Sequence, residues 1–105
     1  MRITISHNQS KAEVVQSVDR SFNDLFQEVP KFPVRLVVEK KNWQGSTLSF
    51  SLTAKLGLVN APLRGTIEVT DKHVTIDVDL GILERFIPVS DAREAIGNRI
   101  RGLLK

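Results

Sequence analysis

The feature that most constrains this chain is a strict alternation of apolar and polar residues between Thr47 and Leu80. Leu48, Phe50, Leu52, Ala54, Leu56 and Leu58 occupy every second position, with Thr47, Ser49, Ser51, Thr53, Lys55 and Gly57 between them. Leu63, Gly65, Ile67 and Val69 repeat the pattern, interleaved with Arg64, Thr66, Glu68 and Thr70. Val74, Ile76, Val78 and Leu80 repeat it again, against His73, Thr75, Asp77 and Asp79. Successive side chains of a strand point to opposite faces, so each run predicts a strand with one buried and one wet face. In succession they predict antiparallel strands whose apolar face needs a single covering layer.

The breaks between the runs set an expected register. Val59-Asn60-Ala61-Pro62 reads as a loop, which would place Leu58 opposite Leu63 and Leu52 opposite Val69. Asp71-Lys72 reads as the next turn, with Thr70 opposite His73 and Ile67 opposite Ile76. Arg64 and Asp79 then oppose each other on the wet face, and that opposite-charge pair favours the register. Gly65 would face Val78 and leave room for a helix to approach.

The flanking segments supply the cover. Ile3 and Ile5 alternate with polar neighbours and predict a short strand over Arg2–Ser6. Ser10 and Glu13 match a capping box at the start of a helix. Its apolar stripe is Val15, Val18, Phe22, Leu25, Phe26 and Val29, and about 18 residues give a length of roughly 27 Å. Pro30 and Pro33 end it, because neither can donate a helical hydrogen bond. Val34–Glu39 predicts a strand with Val34, Leu36 and Val38 inward. Lys40-Lys41-Asn42 reads as a polar turn and Gln44-Gly45-Ser46 as a second break. Trp43, between them, either covers a sheet end with its indole N–H near water or stacks on a ligand. Gly81 stops the last strand. Ser90 and Asp91 cap a final helix of about 14 residues, with Ala92, Ala95, Ile96, Ile100, Leu103 and Leu104 as its stripe. The predicted order is βαββββα. The expected architecture is one α+β domain over residues 1–105, a two-layer sandwich with an antiparallel sheet of about five strands and both helices on one face.

Composition removes several function classes. The chain has no cysteine, so disulfides and thiolate chemistry are excluded. A net charge of +3 is too small to mark a nucleic-acid binder, and aromatic and basic residues do not interleave as RNA readers require. The charge is unevenly spread: the first helix is acidic, whereas Arg85, Arg93, Arg99, Arg101 and Lys105 outnumber Asp91 and Glu94 at the end. These are read as ordinary solvated faces. No apolar run approaches the roughly 18 residues of a membrane span. The Met1–Ser6 stretch reads as a strand rather than a signal peptide, so a cytoplasmic protein is expected.

No catalytic constellation is visible. His7 and His73 are too few for a metal site without cysteine. Asp77 and Asp79, two apart on the wet face, keep it soluble or hold a cation loosely. The glycines are isolated, so no phosphate-cradling loop exists, and no cofactor is implied. What remains is Ile82-Leu83-Glu84-Arg85-Phe86-Ile87-Pro88, with Ile82, Leu83, Phe86 and Ile87 at neither clean period. This segment packs beneath the final helix or presents an apolar surface to a partner. Leu83, Phe86 and Ile87, with Trp43 nearby, are the candidate site for an apolar ligand or partner.

The pattern as a whole resembles a known family. It comprises the Ile3-Thr4-Ile5-Ser6-His7 strand, the amphipathic helix, Trp43-Gln44-Gly45-Ser46-Thr47-Leu48-Ser49-Phe50, Gly65-Thr66-Ile67-Glu68-Val69, Val74-Thr75-Ile76, Leu80-Gly81-Ile82-Leu83 and a basic, apolar closing helix ending in Leu103-Leu104. This is similar to the polyhydroxyalkanoic acid system proteins of the polyhydroxyalkanoate granule region. The resemblance covers nearly the whole chain, and its motifs are structural rather than catalytic. It implies a bacterial cytoplasmic protein connected with storage-polyester granules, and it supplies no catalytic residue. The element order also looks like a shortened helix-grip fold, in which a curved sheet and a C-terminal helix enclose a lipid or polyketide, a likeness of fold alone.

Three functions follow as expectations. The first is a non-enzymatic accessory protein that binds the polyester surface, an acyl chain or another granule protein. The second is a small-molecule carrier or enzyme with a cavity between helix and sheet. The third is a dimerising module that uses the Ser/Thr-rich sheet face. Ligand, strand order and oligomeric state are not legible in the residues.

Overall fold

A computed structural model describes residues 1–25, 35–85 and 89–104. The strands are β1 (Arg2–Ser6), β2 (Arg35–Gln44), β3 (Thr47–Leu56), β4 (Val59–Val69) and β5 (His73–Asp79), and the helices are α1 (Lys11–Leu25) and α2 (Val89–Leu103). A 3₁₀ turn over Gly81–Arg85 follows β5. The strands form one antiparallel sheet in the order β1-β5-β4-β3-β2. β2 to β5 is a plain meander, and β1 docks beside β5 on the edge opposite β2. The chain must therefore carry α1 from one edge of the sheet to the other.

The sheet has the one-sided character that the alternation requires. Ile3, Ile5, Leu48, Phe50, Leu52, Ala54, Ala61, Leu63, Ile67, Val69, Val74, Ile76 and Val78 are buried in a single core, together with Val14, Val18 and Phe22 of α1 and Ile100 of α2. The helices touch each other, α2 rests against β1 and α1 against β4. Both therefore roof the same face, and the α+β sandwich with order βαββββα stands. The opposite face holds Ser49, Thr66, Glu68 and Asp77 in the open.

The β4–β5 hairpin has the expected register, with Ile67 opposite Ile76 and Arg64 opposite Asp79. Its Asp71-Lys72 turn is closed by the Thr70 N–H donating to the His73 carbonyl at 2.8 Å. The β3–β4 hairpin differs. Its turn is Gly57-Leu58, not Val59–Pro62, and Leu52 pairs with Leu63, Phe50 with Gly65 and Leu48 with Ile67. Gly57 takes a φ of 57°, the positive value that two-residue hairpin turns need and that glycine adopts without strain. Pro62 lies inside β4 opposite Thr53. β5 pairs with β4 only from Arg64 onward, so Pro62 sits where β4 has a free edge and its missing N–H costs no ladder bond. Leu58, expected inward, is the fully exposed tip of this hairpin.

The space above Gly65 is taken by an aromatic ring rather than by a helix. A Cβ at Gly65 would stand 2.6 Å from Cζ of Phe50 and 2.7 Å from the Asp77 carbonyl oxygen. Phe50 leans over the glycine and meets Phe22 of α1 edge-on, with centroids 5.1 Å apart.

At the start of α1 the Glu13 N–H donates to Ser10 Oγ at 3.2 Å, while the Ser10 hydroxyl donates to Glu13 Oε1 at 2.9 Å. The helix centres Val14, Val18 and Phe22 on the core, with Val15 on the flank. Adjacent valines both fit a 3.6-residue stripe, and the rotation of the helix against the sheet decides between them. The described part of α1 reaches Leu25, and Phe26, Val29, Pro30, Pro33 and Val34 lie outside the described residues. α2 begins at Val89, so Ser90 and Asp91 are in its first turn instead of capping it. Ile100 is fully buried, Ala95, Ile96, Leu103 and Leu104 are partly covered, and the Ala92 side chain lies outside what is described.

Candidate functional site

β2 departs most from the alternation, and its departure builds a polar cluster on the covered face. It runs unbroken through Lys40-Lys41-Asn42, which is strand rather than turn. Val38 pairs with Leu52, but the next partner, Ser51, belongs to Lys40, so Glu39 is an extra residue, a β-bulge. Up to Val38 the even positions face inward. Beyond the bulge the odd ones do, with Lys41 opposite Phe50 and Trp43 opposite Leu48. In an unbulged continuation of the Val38–Leu52 register, Lys40 and Asn42 would occupy those positions. The bulge residue is itself held, its carboxylate accepting from Thr53 Oγ1 at 3.0 Å.

Trp43 and Lys41 turn toward α1 and converge on one carboxylate oxygen. Asp19 Oδ1 accepts the Trp43 indole N–H at 2.9 Å and the Lys41 ammonium at 2.9 Å. The ammonium also donates to the Asp19 carbonyl at 3.3 Å and lies 5.6 Å from the centroid of the Phe22 ring. Hydrogen bonds from Lys41 and then Trp43 stabilise the ionised carboxylate, and the Asp19 acid sits below its ordinary value. The cluster is largely solvated, with the Lys41 and Asp19 side chains 37% and 49% exposed, so screening keeps the ion pair weak. Chemically it is a staple between helix and edge strand. The indole N–H is satisfied within the chain, and the half-buried ring packs against the core.

The other candidates sit elsewhere. Trp43 shares a row with Leu48 on β3 and Ile67 on β4. Gly81 lies beside Pro62, whose carbonyl oxygen is 3.8 Å from the position of a Gly81 Cβ. Pro62 is five residues back along β4 from Ile67, about 16 Å at the rise of a strand. Trp43 and the start of the Ile82–Ile87 segment are thus at opposite ends of the sheet and not side by side. Gly81 has a φ of 55°, and its N–H donates to Asp79 Oδ1 at 3.0 Å. That oxygen of Asp79, read as a loose cation ligand or a solubilising charge, closes the turn. Leu83 lies in the 3₁₀ turn, which packs against β4, and Ile82 beside it is 48% exposed. Phe86 and Ile87 lie outside the described residues.

His7 is a site that sequence reasoning passed over. It is buried at the junction of β1 and α1. The Gln9 N–H donates to its Nδ1 at 3.2 Å, so Nε2 must carry the proton that it donates to the Thr70 carbonyl at 2.8 Å. The His7 backbone N–H donates to the Lys72 carbonyl at 2.9 Å. The imidazole is a structural brace for the β4–β5 turn.

Among the described residues no helix is long and apolar enough to cross a membrane. The helix-grip likeness extends to element order only, since α2 packs on β1 and α1. A family model described as polyhydroxyalkanoic acid system protein, of the polyhydroxyalkanoate granule region, matches residues 1–104. No curated protein and no solved structure matches the chain.

Proposed function

Because the chain belongs to the polyhydroxyalkanoic acid system family, we propose that it is a non-enzymatic accessory protein of storage-polyester granules in the bacterial cytoplasm. It binds an apolar surface, an acyl chain or a granule protein through the segment after β5, where Leu83, Phe86 and Ile87 are the contact residues, with Trp43 as a second aromatic contact on the far edge. The observation that carries this reading is the break at Gly81. Its positive φ turns the chain out of the sheet, and Ile82, the first residue of the apolar segment, is half in water. An apolar side chain standing in water at the head of an apolar segment is a starting point for a contact surface.

The test is co-sedimentation of the full chain with isolated polyester granules. Ile82→Asp is the first variant, because an exposed position tolerates a charge without unfolding, and Phe86→Asp is the second, with its melting curve recorded alongside. Retention of the native chain and loss of the folded Ile82→Asp variant is the expected result. Equal partitioning of all the proteins would overturn the reading.

A further inference from the structure

The fold asks for glycine at the β3–β4 turn but does not ask for leucine beside it. Gly-Asn, Gly-Asp or Gly-Ser would close a two-residue hairpin as well, yet this one places Leu58 wholly in water. Val59, its neighbour, is 42% exposed and lies opposite Leu56 on the apolar face. Leu58, Val59 and Ile82 are the exposed large hydrophobics among the described residues, and they share one end of the sheet, since Gly81 lies beside Pro62. A single apolar residue on a surface needs no explanation, but a group at one end does.

A second observation at the same end points to the sign of the partner. Arg35 on β2 is directly opposite Lys55 on β3, and both are exposed. Like charges in cross-strand register are destabilising. The ion pair that the described residues form involves neither of them. Glu39 and Asp79 make hydrogen bonds elsewhere, Glu39 with Thr53 and Asp79 with the Gly81 N–H. An anion seated between Arg35 and Lys55 would relieve the repulsion. Lys55 is three residues from Leu58, roughly 10 Å along the strand, which matches the depth of about 5–10 Å to which interfacial segments enter a lipid layer.

We propose that the Gly57-Leu58 hairpin tip anchors the protein on an anionic lipid surface, with Leu58 and Val59 entering the acyl region while Arg35 and Lys55 hold headgroup phosphates. The anchor goes beyond polyester binding and stands whether or not the chain binds polyester, because its residues, Leu58, Val59, Arg35 and Lys55, are not those assigned to the polyester.

The experiment is co-sedimentation of the full chain with vesicles of phosphatidylcholine alone and of phosphatidylcholine mixed with phosphatidylglycerol. Binding is expected to the mixed vesicles and to weaken with added salt. Leu58→Ser lowers the partition coefficient about tenfold or more. Lys55→Glu lowers it about fivefold or more, and it cannot act through unfolding because it turns a repulsive pair with Arg35 into an attractive one. Absence of binding, equal binding to both vesicle types, or full binding by Leu58→Ser would each overturn the proposal. None of these results bears on the granule assay with Ile82→Asp.

Discussion

The Trp43 indole N–H donates to the Asp19 carboxylate at 2.9 Å, joining the outer edge strand to the helix that roofs the sheet. The same oxygen receives the Lys41 ammonium at 2.9 Å. Both donors reach it only because Glu39 is bulged out of β2. The staple ties α1, which lies in the crossing from β1 to the far side of the sheet, to β2, the strand on that edge.

This relationship sets an acid response. Asp19 titrates below its ordinary 3.8 because Lys41 and Trp43 stabilise the ionised form. A folded-state value depressed below the unfolded one contributes stability that is present above 3.8 and lost as pH falls through the lower folded value. Trp43 is the sole tryptophan, so its emission reports the event directly. The fluorescence of Trp43 is expected to change with a midpoint below 3.8, and Asp19→Asn is expected to abolish that step. A midpoint at or above the ordinary value would show that the staple does not hold in solution. Removal of the pair by Asp19→Ala costs no more than about 1 kcal/mol, as befits an exposed contact.

Gly65→Ala tests the close approach under Phe50. The added methyl meets Cζ of Phe50 at 2.6 Å and the Asp77 carbonyl at 2.7 Å. The ring can turn aside, but the carbonyl belongs to the neighbouring strand and cannot. A loss of about 1–3 kcal/mol is expected by urea denaturation, as for other overpacked sites. Adding Phe50→Leu should recover only part of it. Full recovery would show that the backbone contact is immaterial.

The contrast between the two hairpins shows what was legible in the residues. Asp71-Lys72 was readable because the Arg64 and Asp79 charges and the apolar sets of β4 and β5 agree on one register. Gly57-Leu58 was not, because Leu58 continues the alternation of Leu48 to Leu56 into the turn, and Pro62 reads as a loop residue unless β4 is known to have a free edge there. The helix-capping box at Ser10, the one-sided core and the two helices above it followed from local rules. The Asp19 cluster depends on a one-residue bulge, which breaks the period and so reads as the end of a strand. His7 is a lone polar residue that reaches Thr70, more than 60 positions away in sequence, and no local pattern announces such a brace. For the apolar site, composition pointed to the Ile82–Ile87 segment. It could not place Trp43 at the other end of the sheet, since strand order decides that distance.

His7→Ala tests the brace. The substitution removes the donor to the Thr70 carbonyl and the acceptor for the Gln9 N–H. Loss of buried hydrogen bonds of this kind costs about 1–3 kcal/mol, and amide exchange is expected to quicken first in the Thr70–His73 turn. Two-dimensional ¹H–¹⁵N spectra of the native protein should show His7 as the Nε2–H tautomer. The Nδ1–H form would contradict the arrangement, because Nδ1 could then no longer accept from Gln9.

Lys41 suggests how the long open edge of β2 is kept from pairing with a second copy. Among the described residues no strand pairs with the outer edge of β2, ten residues long, and an inward-pointing charge is a standard defence against edge-to-edge addition. Lys41 stands opposite Phe50, its ammonium on Asp19 and over the Phe22 ring. Lys41→Leu leaves the Trp43 bond to Asp19 in place and forfeits the exposed contacts of the ammonium with Asp19 and the Phe22 ring, so monomer stability should fall by about 1 kcal/mol or less. Association should rise, because a leucine at this position continues the apolar face to the rim of the sheet. Light scattering after size exclusion, over a range of concentrations, is expected to show a larger mass for Lys41→Leu than for the native chain at the same concentration. Lys41→Arg, which keeps the charge, should behave as the native protein does. Equal masses for all three would mean that the Glu39 bulge alone guards the edge.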